Sequence, residues 1–239
     1  QSRSSAASDV YKRQLGALAF GIGSSEAEHA LATLSLRVSR PRTLHIRIDG
    51  QLRPPASAKD LALALIARLG PGGAAGRAIE YRGTAIAALP MEGRMTLCNL
   101  AAELSAFTAV IAPDDTTLSY VEGRRWAPRG ARWDAAVRHW RELTQDLDRE
   151  DTEDVTVDAS AVTPMVTWGT SPAQAVPIDG CVPDLPGDGG AQRAQTYMAL
   201  APGTALCGLP IDAAFIGSCT NARLSDLREA TQVLGGRRV

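Results

Sequence analysis

With 239 residues, 45% of them apolar, the chain is long enough for one large or two smaller domains with a substantial core. A formal net charge of −1 gives no reason to expect nucleic acid or a membrane surface as partner. No apolar run approaches the length of a membrane-spanning helix, the start lacks the apolar centre of a secretory signal, and four cysteines without a short repeated spacing suit a reducing cytoplasm better than a disulfide scaffold.

Gln1 to Gln14 is polar, serine-rich and without periodicity, and is set aside as a non-native or disordered segment. A Gly-rich start (Gly16, Gly21, Gly23) then leads into a helix expected over 25–36. Those glycines stand in the wrong order of elements for a phosphate loop, and close backbone packing is their expected use. His29 falls inside that helix. Residues 43–49 alternate, with Leu44, Ile46 and Ile48 on one face and His45, Arg47 and Asp49 on the other, which predicts a half-buried strand with His45 at the surface. Ser57 caps the next helix with Asp60 in the reciprocal position; Leu61, Leu65, Ile66 and Leu69 form its buried face, and Gly70 ends it.

A short strand is expected over 78–81 and a helix over 96–107. In that helix Asn99 and Glu103 stand one turn apart on the same face. An amide and a carboxylate so placed could orient a polyhydroxy acid and a water; a plain solvated face explains them as well. Cys98 is expected to pack as a small apolar residue. A strand at 109–112 precedes a turn and helix cap at 113–117. Trp133, Val137 and Trp140 then recur at helical spacing, so that helix is expected to bury its tryptophans, with His139 off the stripe. The acidic run 146–154 reads as a solvated connection, 155–157 as a strand, and 167–172 as a rigid turn around a buried Trp168. Finally, apolar Ala213 to Ile216 reads as a short buried strand, Gly217 and Ser218 break it, and a helix is expected over 224–233. Cys219 then sits at the turn, where helix dipole and backbone N–H groups favour a thiolate. That suits a nucleophile or a metal ligand, and equally a half-buried structural cysteine.

Gly217-Ser218-Cys219-Thr220-Asn221, followed by Asp226-Leu227-Arg228, resembles the first cluster-ligand motif of the aconitase superfamily. Met91-Glu92-Gly93-Arg94-Met95-Thr96-Leu97-Cys98-Asn99, the 113–124 unit and Thr167-Trp168-Gly169-Thr170-Ser171-Pro172 are similar to one branch, the large subunits of isopropylmalate isomerases. The likeness covers nearly everything from Leu15 to Val239. It implies an α/β fold of stacked three-layer α/β/α units of the aconitase iron–sulfur type, truncated at both ends. The segmentation it suggests is 15–42 as a remnant of a first domain, 43–158 as a middle domain, and 159–239 as the start of a third.

The resemblance also implies a [4Fe–4S] cluster held by three cysteines, whose fourth iron acts as a Lewis acid. It makes Cys219 a cluster ligand, Asn221 a cofactor-binding residue, and Asn99 and Glu103 active-site residues. The implied reaction dehydrates 2-isopropylmalate and rehydrates the product to 3-isopropylmalate in leucine biosynthesis. A separate small subunit is the implied partner and supplies the serine base. The family's Asp-Ser-His-Thr motif would precede Leu15, and its Cys-x-x-Cys pair does not occur among these residues. The expectation is therefore a central fragment of a hydro-lyase, inactive alone. Homoaconitase is the near alternative. From other classes stand a Cys219-dependent hydrolase, which would need His29, His45 or His139 within reach, and a non-catalytic interaction module.

Overall fold

The computed structural model describes residues 19–145, 154–217, 220 and 222–236. Its framework is a four-stranded parallel sheet in the order β3-β2-β1-β4. The strands are β1 (Arg42–Asp49), β2 (Arg77–Arg82), β3 (Thr108–Ile111) and β4 (Val155–Asp158). Parallel neighbours require crossovers, and helices supply them. One helix, α1 (Ser24–Thr33), precedes β1, and α2 (Ala58–Leu69) joins β1 to β2. Two, α3 (Thr84–Ala88) and α4 (Met91–Leu100), join β2 to β3. The return from β3 across the sheet to β4 carries α5 (Asp115–Val121) and α6 (Ala131–Gln145). The parallel sheet with flanking helices is the α/β architecture expected.

Alternation decides which face is the core. Leu44 and Ile46 of β1 lie in register with Ile79 and Tyr81 of β2, which pair in turn with Ala109 and Ile111 of β3, while Ile48 pairs with Val157 of β4. The buried side chains among these share one cluster with Leu61, Leu65 and Ile66 of α2 and with Leu97, Cys98 and Leu104. Cys98 is packed there as a small apolar residue, as expected. Helix α2 starts where the cap predicts: Ser57 N–H donates to Asp60 Oδ2 at 2.7 Å, and the helix ends at Gly70 with φ of 77°.

Beyond the sheet, β5 (Met165–Thr167) and β6 (Ala175–Pro177) form a small antiparallel hairpin. Its turn is fixed by Gln174, whose Oε1 accepts from the N–H groups of Thr170 and Ser171 at 2.7 and 3.1 Å. Trp168 is buried against Val182, Ala191 and Ala194, the last two on α7 (Gly189–Met198), so the rigid turn around a buried tryptophan is observed. The final helix is α8 (Leu224–Leu234).

Five local expectations need correction. His45 is 8% exposed, not at the surface. Across the register it faces Glu80, and Arg82 Nη2 donates to its Nδ1 at 2.6 Å. With Nδ1 accepting, Glu80 Oε2, 3.3 Å from both groups, pairs with the guanidinium and not with the imidazole. Gly21 meets nothing that an added Cβ would strike and Gly23 caps α1, so neither serves close packing. The helix expected over 96–107 begins at Met91, ends at Leu100 and continues as a 3₁₀ turn, Ala101–Leu104. The tryptophans of α6 are half-buried, set edge to face against each other with centroids 5.9 Å apart. Residues 213–216 form no strand, and Phe215 is 89% exposed. An apolar run becomes a strand only by pairing, and among the described residues nothing pairs with it. Residues 1–14 and most of the acidic run lie outside the described residues.

Gly83, between β2 and α3, is a close backbone approach to β1. Its φ is 111°, and a Cβ there would strike the Ile48 carbonyl of β1. Replacement by alanine therefore meets both a clash and a forbidden backbone region. Gly83→Ala should cost about 3 kcal/mol of unfolding free energy, against about 1 kcal/mol for Gly123→Ala, whose position is left-handed but open. Urea midpoints of the two variants measure this; equal losses would contradict it.

Candidate functional site

Of the residues singled out from the sequence, Asn99 lies on α4 and Glu103 in the 3₁₀ turn after it, while Thr220 of the cysteine motif and Arg223 beside it lie just before α8. Helix α4 is held at its first turns by Arg94, which is 1% exposed. A guanidinium taken out of water needs acceptors for its N–H groups. Arg94 Nε donates to Leu89 O at 3.0 Å and Nη2 to Ala87 O at 2.9 Å. Nη1 and Nη2 grip the two oxygens of Asp114 at 2.6 Å each, a bidentate fork. Asp114 is also the N-cap of α5, accepting from Thr117 N–H at 3.1 Å. One buried cation thus ties α4 to the end of α3 and the start of α5.

Burial pushes the Asp114 carboxyl up, but hydrogen bonds from Arg94 and the Thr117 amide, with the guanidinium charge, outweigh it and hold the group below its ordinary value. The sign follows. A depressed folded-state pKa stabilises the fold above the unfolded carboxylate value, about 4, and this contribution is lost as pH falls through the folded value.

With α4 so anchored, Thr96 and Asn99 lie one turn apart and both are buried. Asn99 Nδ2 donates to Thr220 Oγ1 at 3.2 Å. Arg223 Nη1 donates to Thr96 Oγ1 at 2.9 Å and to Thr220 O at 3.0 Å. Arg223 is the N-cap of α8, and its own N–H donates to Asp226 Oδ2 at 2.9 Å. The helix bearing Asn99 and the Gly-Ser-Cys-Thr-Asn stretch therefore meet at Thr220, the residue between Cys219 and Asn221. Cys219 and Asn221 themselves lie outside the described residues.

Glu103 is placed differently from the expectation of a shared helix face. It stands in the 3₁₀ turn after α4, exposed to solvent, whereas Asn99 points into the contact with Thr220. The chain leaves that turn through Ser105, at φ of 60°, whose Oγ donates to Pro71 O at 2.7 Å. Thr96 and Arg223 were not singled out by sequence reasoning. The available signal for Thr96 was its i, i+3 spacing to Asn99; nothing local distinguishes Arg223.

Among the described residues no group of three His, Cys, Asp or Glu side chains could hold a metal ion. Cys98 is enclosed in the core, while Cys181 and Cys207 are exposed. His45 is engaged by Arg82, whose Nη2 donates to its Nδ1 at 2.6 Å.

The family model described as "Aconitase family (aconitate hydratase)" matches residues 12–239. The "3-isopropylmalate dehydratase large subunit" of Roseiflexus castenholzii (strain DSM 13941 / HLO8) is 50% identical over 230 residues, which cover 94% of this chain and 49% of that protein. The chain spans about half the length of this curated relative.

Asp114→Asn removes the charge facing the buried Arg94. It should cost about 2 kcal/mol at pH 7, less than for a wholly buried pair because the carboxylate is partly solvated. Its urea midpoint should also fall less steeply than that of the wild type as pH drops from about 5 to about 2.5. Matching midpoints at pH 7 would contradict this.

Proposed function

The chain belongs to the aconitase family, and from that premise we propose that it is part of the large subunit of a hydro-lyase interconverting 2-isopropylmalate and 3-isopropylmalate. The observation that carries the proposal is the meeting of two distant sequence motifs: Asn99 of α4 reaches Thr220, 121 positions along the chain. Chemistry that needs both a thiolate loop and polar groups for a hydroxy diacid requires such a meeting.

In this reading Cys219 is one thiolate ligand of a [4Fe–4S] cluster, with Asn221 beside it. When bound, the cluster would supply Lewis-acid chemistry toward a substrate oxygen. The described residues do not make up the three-thiolate set, and this chain's four cysteines contain no Cys-x-x-Cys pair. We assign the remaining ligands to the other half of the relative's length and derive no step through the cluster from this chain. Asn99 positions a polar substrate group or water. Glu103, solvent-facing in its turn, is available to exchange a proton or hold an oxygen of the substrate. A small subunit completes the enzyme, which the function places in leucine biosynthesis in the cytoplasm.

The test uses the large subunit completed to the relative's full length, reconstituted anaerobically with iron and sulfide and mixed with a small subunit. It should turn over 2-isopropylmalate. Glu103→Gln should lower kcat about a hundredfold with the visible cluster absorption retained, whereas Cys219→Ser should lose that absorption. Turnover of homoaconitate alone would redirect the substrate assignment, and a colourless wild-type protein would overturn the cluster assignment.

A further inference from the structure

The contacts of Arg223 form a pattern that its place in a helix cap does not require. A cap needs only the Arg223 backbone, whose N–H donates to Asp226 and whose carbonyl accepts from Leu227 N–H at 3.0 Å. The side chain turns instead to α4. Both protons of Nη1 are used there, one on Thr96 Oγ1 and one on Thr220 O.

Thr96 is built to receive it. The residue is 2% exposed, and its hydroxyl donates to Glu92 O one turn back at 3.1 Å. With the proton committed inside the helix, the oxygen presents lone pairs outward, where a cation is the natural donor. The guanidinium also spans two elements that are 127 positions apart at Thr96, and it makes its second bond to the backbone of Thr220 itself. Asn99 holds the same residue by its side chain. Thr220 is thereby fixed at two atoms, its carbonyl by Arg223 and its hydroxyl by Asn99.

We propose that Arg223 is a positioning residue, a latch that seats Thr220, within the Gly-Ser-Cys-Thr-Asn stretch, against α4 with Thr96 as its receptor. It rests on the reading that this stretch and Asn99 belong to one site, and it adds what sets their spacing. Arginine suits the task because one planar nitrogen can serve two fixed acceptors while the charge strengthens both bonds. The latch also depends on α4 being immobile, which the buried Arg94 fork provides.

Amide hydrogen exchange followed by mass spectrometry on the 239-residue chain tests this directly. In Thr96→Val, which removes the hydroxyl at nearly constant volume, exchange across 220–227 should quicken about tenfold, the factor expected for one lost hydrogen bond to a charged donor. Thr96→Ser should restore the wild-type rate. Arg223→Met, at a half-buried position that poses no risk to the core, should reproduce the Thr96→Val effect, and combining the two should add little further. Exchange in β1 and β2 should stay unchanged in all of them. Unaltered exchange over 220–227 in Arg223→Met would overturn the proposal. So would a rise spread over β1 and β2, because that marks general stability and not a local latch. The readout is docking and not turnover, so an intact latch in a completed enzyme without isopropylmalate activity would count against the hydro-lyase reading alone.

Discussion

A guanidinium removed from water is stable only where every hydrogen-bond donor finds an acceptor, and that requirement at Arg94 organises the molecule around α4. Its acceptors come from Ala87, Leu89, Asp114 and Thr117, on both sides of the helix in sequence. Because Asp114 simultaneously caps α5, the constraint extends to the start of the return crossover. Helix α4 is thus both a core element, through Leu97 and Cys98, and a platform, through Thr96 and Asn99.

That double role explains how the sheet positions the site. The parallel strands and α2 fix the apolar side of α4, and its polar residues are left to meet sequence that arrives more than 120 positions later. The contact at Thr220 is polar on both sides and half-enclosed, so each hydrogen bond there is worth more than its exposed counterpart. By contrast, the apolar residues around it on the later segment, such as Phe215, Leu224 and Leu227, are exposed. The later segment is attached to the rest chiefly by directed bonds.

How much of this could be read from residue order varies with the range of the interaction. The cap of α2 was legible because Ser57 and Asp60 complete it locally, and the core face of β1 was legible because alternation is a local property. His45 was misplaced because alternation reports only that a side chain faces away from one core; it says nothing of Glu80 and Arg82 arriving from the neighbouring strand. The helix over 96–107 was drawn too long because Leu97, Leu100, Ala101 and Leu104 keep helical spacing through a 3₁₀ turn, and only the left-handed Ser105 ends it. The 213–216 run was read as a strand on composition alone, although strands exist by pairing. Spacing brought Asn99 and Glu103 forward, and a turn before a helix brought Cys219 forward, but each left a plain structural explanation open, and the resemblance is what marked them as site residues. The proximity of Asn99 to Thr220, and the parts played by Thr96 and Arg223, belong to tertiary structure only.

The central claim is that α4 and the Gly-Ser-Cys-Thr-Asn stretch form one site. It is tested most directly by nuclear Overhauser contacts in the isotopically labelled chain between the side-chain amide protons of Asn99 and the side-chain protons of Thr220. The account predicts a clear cross-peak, with the Asn99 amide protons slow to exchange with water. Absence of that cross-peak together with fast exchange of those protons would show the two motifs apart, and would contradict the site as described.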